Sequence, residues 1–174
     1  MYKIGKEEVL EIESIINSGK IFRYGIGNQC SSFEARYAEK LNVKNCVMTA
    51  SGTNSLTAAL VAADIGPGDE VVVPACTYMA TPISVLAAGA IPVIVDIDES
   101  VTISPTALKA AIGPRTRAVI PVHMWGVACD MDPIMEIASE KSLIVIEDAC
   151  QGVGGAYKER MLGSIGHIGA FSFN

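Results

Sequence analysis

The sequence predicts an α/β fold built on a mostly parallel sheet, and three observations carry that prediction. From Asn45 onward, short Val- and Ile-rich runs alternate with helical stretches, and strand–helix–strand alternation implies parallel strands. Residues 143–151 read Leu-Ile-Val-Ile-Glu-Asp-Ala-Cys-Gln. An apolar run with no polar break that then meets two carboxylates is how a strand buried on both faces reads. Half of the 174 residues are hydrophobic and only 18% are charged, a balance that suits two-face-buried strands or a large subunit interface.

The elements follow in order. Residues 7–17 read as a helix, with Val9, Ile12 and Ile16 on one face and Gly19 suited to the position past its end. Phe22-Arg23-Tyr24-Gly25-Ile26-Gly27-Asn28 reads as a loop. It lacks a third glycine and follows a helix, so it is no dinucleotide fingerprint; it is the candidate for reaching a partner subunit. Ser31-x-x-Glu34 reads as a capping box, opening a helix that Phe33, Tyr37 and Leu41 continue. Cys46-Val47-Met48 reads as a first strand, and the helix after Asn54 runs to Asp64, where Gly66-Pro67-Gly68 stops it. Strands are expected at 70–73, 91–95, 117–122, 143–148 and 168–173. Between them lie a helix ending near Ala88-Gly89, one capped by Ser104 with Pro105 at its first position, and one from Asp132 to Lys141. Tyr157-Lys158-Glu159-Arg160 reads as an exposed turn. There is no linker, internal repeat or low-complexity segment.

Composition excludes several functions. The net charge is −6, with no run of five like charges, so nothing favours nucleic acid or an anionic membrane surface. No apolar stretch reaches membrane-spanning length, and the first residues lack a signal-peptide layout. The five cysteines (Cys30, Cys46, Cys76, Cys129 and Cys150) are widely spaced and never form Cys-x-x-Cys. They read as free thiols of a cytoplasmic protein, with neither a disulfide frame nor a metal site.

Polar residues gather just after the inferred strands: Ser51-Gly52-Thr53, then Thr77 and Tyr78, then His123, then Asp148 and Gln151. Parallel strands would put all of these on one edge of one sheet, where ligands of open α/β sheets bind. Ser51-Gly52-Thr53-Asn54 either cradles an anion at a helix N-terminus or simply caps that helix. Tyr78 either stacks on a flat ring or is a half-buried aromatic. Asp148 either faces a cationic ring nitrogen or serves as a cap or salt bridge. His123 is read as a hydrogen-bonded structural histidine, and Trp125 as packing or interface. An anion cradle, a stacking ring and an acid opposite a ring nitrogen form the inventory that holds pyridoxal phosphate; Asp148 would keep the pyridine nitrogen protonated and Gln151 would meet the ring hydroxyl.

The sequence resembles the DegT/DnrJ/EryC1/StrS family of sugar aminotransferases, which have the fold-type-I pyridoxal-phosphate architecture. The matching stretches are Ala50-Ser51-Gly52-Thr53-Asn54-Ser55-Leu56, Gly66-Pro67-Gly68-Asp69-Glu70-Val71, Thr77-Tyr78-Met79-Ala80-Thr81, Ile120-Pro121-Val122-His123, Ile146-Glu147-Asp148-Ala149-Cys150-Gln151 and Gly169-Ala170-Phe171-Ser172-Phe173-Asn174. The resemblance implies a three-layer large domain across residues 1–174. It also implies that Gly52, Thr53 and Ser172 hold the cofactor phosphate with help from the Asn54 amide, that Tyr78 stacks, that Asp148 pairs with the ring nitrogen, and that Gln151 meets the ring oxygen. It further implies an amino-acid donor such as glutamate, a keto-sugar acceptor linked to a nucleotide, and a homodimer. Family members have a Schiff-base lysine shortly after Phe-Ser-Phe, followed by a smaller C-terminal domain. Neither is in this sequence, so the 174 residues alone are expected to be inactive. The alternatives are a sugar dehydratase of the same fold and a non-catalytic scaffold.

Overall fold

The computed structural model describes residues 4–23 and 28–173. Tyr24, Gly25, Ile26 and Gly27, at the heart of the loop expected to reach a partner, lie outside the described residues, as does Asn174. The chain divides into two compact units, Met1–Met48 and Thr49–Asn174.

In the first unit, α1 (Lys6–Ser18) ends as expected at Gly19, which turns left-handed at φ 69° and returns its N–H to the Ile16 carbonyl. Helix α2 (Gln29–Leu41) begins before the expected capping box. The Asn28 side chain accepts the Ser31 N–H at 2.8 Å and is the N-cap, which puts Ser31 three residues inside. Glu34 is drawn elsewhere, accepting from the Arg23 guanidinium and the Met48 N–H, both at 2.7 Å. That second bond also bears on the first expected strand. Residues 46–48 pair with no strand among the described residues, and Met48 spends its amide on a side chain instead of a ladder.

The second unit has three layers. Its elements are α3 (Gly52–Ala62), β1 (Glu70–Pro74), α4 (Ala80–Ala87), β2 (Ile91–Val95), α5 (Pro105–Ala111), β3 (Thr116–Val119), α6 (Met131–Lys141), β4 (Ile144–Asp148), the hairpin strands β5 (Ala156–Tyr157) and β6 (Arg160–Met161), and β7 (Ile168–Ala170). The sheet order is β2-β1-β3-β4-β7, and every pairing in it is parallel. The chain leaves β1 toward β2 and then returns past it to β3, so the order reverses between β1 and β3. Ligands of such sheets bind at the carboxyl ends beside that reversal. Alternation along the strands divides the core. Val71, Val73 and Ile146 face Leu56, Leu60 and Val85 of α3 and α4, whereas Val72, Val119 and Val145 face Leu108, Ile134 and Ile137 of α5 and α6. Among the described residues, no helix is long and apolar enough to cross a membrane.

Strand β4 ends on two carboxylates that follow the same alternation. Glu147 is fully buried on the α5/α6 side. Its Oε2 meets His123 Nε2 at 3.0 Å and accepts the Gly163 N–H at 2.9 Å, while its Oε1 accepts the Ile165 and Gly166 N–H groups, each at 2.6 Å. Burial alone would push this carboxyl up, but the bonds from His123, Gly166 and Gly163 outweigh it and hold the group below its ordinary value of 4.5. A group depressed in the folded state contributes stability above its unfolded value and loses it as the pH falls through the folded one. Glu147→Ala, which strands His123 and three amides, is expected to lower the unfolding free energy by about 3–5 kcal/mol in urea melts near neutral pH. The gap between variant and parent should narrow as the pH falls below the ordinary carboxyl range. A pH-independent gap, or one under about 1 kcal/mol, would show that the carboxylate is dispensable.

Candidate active site

The carboxyl edge of the sheet gathers the polar residues that the sequence places after its strands. Asp148 ends β4, its N–H donating to the Pro121 carbonyl at 2.9 Å and its carbonyl accepting the His123 N–H at 3.1 Å. The side chain points to the α3/α4 side and is 5% exposed. Oδ2 accepts the Thr81 hydroxyl at 2.8 Å, and Oδ1 accepts the Cys150 N–H at 3.2 Å. No cationic side chain pairs with Asp148 among the described residues.

Helix α3 begins at this edge. Ser51 is its N-cap, accepting the Asn54 N–H at 3.2 Å on its hydroxyl and the Ser55 N–H at 2.9 Å on its carbonyl. The Asn54 amide, expected to help hold an anion, is thus turned into its own cap. The amides left for a ligand are those of Gly52 and Thr53, which have no partner among the described residues. Gly52 is where the site closes up. A Cβ built on it would lie 2.7 Å from Cys150 Sγ, 3.1 Å from Ser172 Cβ and 3.4 Å from the Phe171 carbonyl oxygen. The absence of a side chain at Gly52 therefore lets the α3 N-terminus, the turn after Asp148 and Ser172 share one place. Burial and the Asp148 charge push the Cys150 thiol up, so it stays protonated in this contact.

Tyr78 follows β1 and exposes 70% of its surface, leaving its ring uncovered by the described residues. Gln151 is also exposed, and its Oε1 accepts the Trp125 N–H at 2.9 Å, which orients the carboxamide and leaves Nε2 to donate. Trp125 does not pack. It sits at φ 52° and is 71% exposed. His123 is the structural histidine expected: Nδ1 accepts the Cys129 N–H at 3.1 Å, so Nε2 carries the proton and donates to Glu147. Lys158, the first lysine after Asp148 in sequence, sits in the β5–β6 turn at φ 54° and pairs with Asp132. The sequence reading missed Thr81. Its signal was the pair Thr77 and Thr81, four apart where a helix starts, which places both hydroxyls on one side.

Gly52→Ala tests the close approach. Overpacking a tight contact costs about 1–3 kcal/mol, to be read in denaturant melts. Adding Cys150→Ala, which removes the nearest atom, should restore at least roughly half of the loss if the contact is as close as described. Full tolerance of the single substitution would mean the α3 N-terminus stands further away.

The profile of the DegT/DnrJ/EryC1/StrS aminotransferase family matches residues 2–174. The spore coat polysaccharide biosynthesis protein SpsC of Bacillus subtilis (strain 168) is 44% identical over 171 residues, which is 98% of this chain and 43% of that protein. GDP-perosamine synthase of Caulobacter vibrioides is 46% identical over 149 residues, covering 85% of this chain and 40% of that protein. The crystal structure of an aminotransferase from Psychrobacter cryohalolentis superimposes with a TM-score of 0.94 at 40% identity, covering 98% of this chain and 43% of that one. The chain thus spans less than half the length of these relatives.

Proposed function

The chain belongs to the DegT/DnrJ/EryC1/StrS aminotransferase family, and from that premise we propose that residues 1–174 are the N-terminal segment and most of the cofactor-binding large domain of a sugar aminotransferase. The enzyme moves an amino group from an amino acid, glutamate foremost, to a keto group on a nucleotide-linked sugar. The family's cofactor is pyridoxal phosphate.

The observation that carries this reading is Asp148, a nearly buried carboxylate with no cationic partner among the described residues. Buried charges are ordinarily paired. The carboxylate accepts from the Thr81 hydroxyl and from Cys150 and keeps acceptor capacity beyond them, which suits a protonated ring nitrogen. The phosphate end fits as well. The amides of Gly52 and Thr53, without a partner among the described residues, lie at a helix N-terminus, with Ser172 brought beside Gly52. When bound, the cofactor draws electrons from the carbon that bears the amino group and eases loss of its proton. The chain's own residues do the holding. Gly52, Thr53 and Ser172 receive the phosphate, Tyr78 covers one face of the ring, Asp148 keeps the ring nitrogen protonated, and the Gln151 Nε2 amide donates to the ring oxygen.

Asp148→Ala separates chemistry from folding. In the longest polypeptide that contains this chain, the variant is expected to keep its melting temperature within a few degrees, while turnover falls about a hundredfold or more. Near-parental turnover would remove Asp148 from the mechanism.

The same reading includes a C2 homodimer, the commonest closed assembly. Exposed apolar side chains on α4 and β2 (Ile83, Leu86 and Ile94) support it. Light scattering on that longest polypeptide is expected to give twice the protomer mass, and an active monomer would overturn the assignment.

A further inference from the structure

We infer that Thr81 is a positioning residue that, with Thr77 behind it, aims the Asp148 carboxylate at the cofactor's ring nitrogen; the inference rests on the role proposed above for Asp148. Thr81 and Ser84 are fully buried in the first turns of α4. The Thr81 hydroxyl lies 2.8 Å from Asp148 Oδ2 and 2.7 Å from Thr77 Oγ1. A hydroxyl has one proton, and an ionised carboxylate only accepts. The Thr81 proton therefore goes to Asp148, and the Thr81 oxygen accepts the proton of Thr77. The other contact open to Thr77, the Tyr78 carbonyl, is longer at 3.3 Å. The result is a directed relay, Thr77 to Thr81 to Asp148, in which each hydroxyl polarises the next.

The relay is anchored on its own backbone. Thr81 donates its N–H to the Tyr78 carbonyl at 3.0 Å, and its carbonyl accepts the Ser84 hydroxyl at 2.7 Å. Asp148 is thus tethered by two donors from separate elements, Thr81 on α4 and the Cys150 N–H in the turn after β4. Two tethers on the two oxygens fix the plane of the carboxylate. They hold the remaining acceptor capacity of the carboxylate in one orientation, so the direction from which a cation can approach is set before the ligand arrives. Valine has nearly the shape of threonine, so removing the hydroxyl would release one tether with little change in volume.

The experiment uses the longest polypeptide that contains this chain, reconstituted with pyridoxal phosphate, and compares Thr81→Val, Thr81→Ser, Thr77→Val and Asp148→Ala. The readouts are the cofactor dissociation constant by equilibrium dialysis, kcat, and the amino-donor KM. A hydrogen bond to a charged group is worth roughly tenfold, so Thr81→Val should weaken cofactor binding and lower kcat by about five- to tenfold each, with the donor KM within about twofold. Thr81→Ser should restore both. Parental values for Thr81→Val beside large losses for Asp148→Ala would overturn the inference while leaving the role of Asp148 intact. Equal losses for Val and Ser would overturn it in favour of packing. An Asp148→Ala variant that binds and turns over normally would remove the premise and the inference together. Should Thr81→Val not fold, Thr77→Val decides, because Thr77 is only half-buried. About a two- to threefold loss in the same readouts is expected from losing one relay bond, and parental values would overturn the proposal.

Discussion

The second unit depends on one buried charge. Glu147 has no contact with solvent and is held by four donors from two places outside its own strand: His123 after β3, and the Gly163, Ile165 and Gly166 amides between β6 and β7. An unpaired carboxylate there would be prohibitive, and removing any one donor strands part of the charge. The bonds therefore act as a rivet through the end of β3, the end of β4 and the approach to β7. Gly166 shows how tightly the rivet draws: a Cβ there would lie 2.9 Å from both the Val145 carbonyl oxygen and Val145 Cγ1. The crossover from β4 to β7 contains no helix, only the small hairpin, so this charge does the holding that a packed helix does in the other crossovers.

Strand geometry then sets the task of the neighbouring residue. Side chains alternate along β4, so fixing Glu147 on the α5/α6 side fixes Asp148 on the other. The two carboxylates differ in how fully they are bonded. Glu147 accepts four hydrogen bonds and has nothing left to offer, whereas Asp148 accepts two and meets no cation among the described residues. Their positions in sequence are nearly equivalent, and their chemistry separates on donor count alone. Glu147 stays a structural charge, and Asp148 is the one with capacity to bind.

Much of this was legible beforehand. The parallel sheet follows from unbroken Ile and Val runs, and Asp148 stands out because a carboxylate that ends such a run must be paired or used. What was not legible depends on competition between near-equivalent donors. Ser31-x-x-Glu34 has the spacing of a capping box, but Asn28 lies three residues earlier and takes the Ser31 amide first, freeing Glu34 for Arg23 and Met48. Residues 46–48 have strand composition but no ladder partner among the described residues, and composition alone does not supply one. The partner of Glu147 was hidden for another reason. It is His123, 24 residues away, and no local pattern reports a contact at that separation.

The remaining groups at the sheet edge share a feature that links the geometry to the proposed chemistry. Each has already spent part of its bonding capacity inside the protein, and what is left points one way. Gln151 gives one acceptor site of its oxygen to the Trp125 amide, which orients the carboxamide and leaves its NH2 donors free of that bond. Ser51 takes the Asn54 amide and leaves those of Gly52 and Thr53 without a partner among the described residues. Asp148 gives one site on each oxygen to Thr81 and Cys150. The strained backbone at Trp125, with φ 52° on a bulky residue, is held in part by the same Gln151 bond that fixes the amide. A site assembled from half-satisfied groups needs little reorganisation when a ligand arrives, because the internal bonds have removed the alternative orientations. The donors and acceptors left over are an amide pair, a carboxylate and a carboxamide donor, set on the rim of one rigid sheet. On the proposed reading, that arrangement suits a flat ligand with an anionic end, a cationic ring atom and a ring oxygen better than a flexible one.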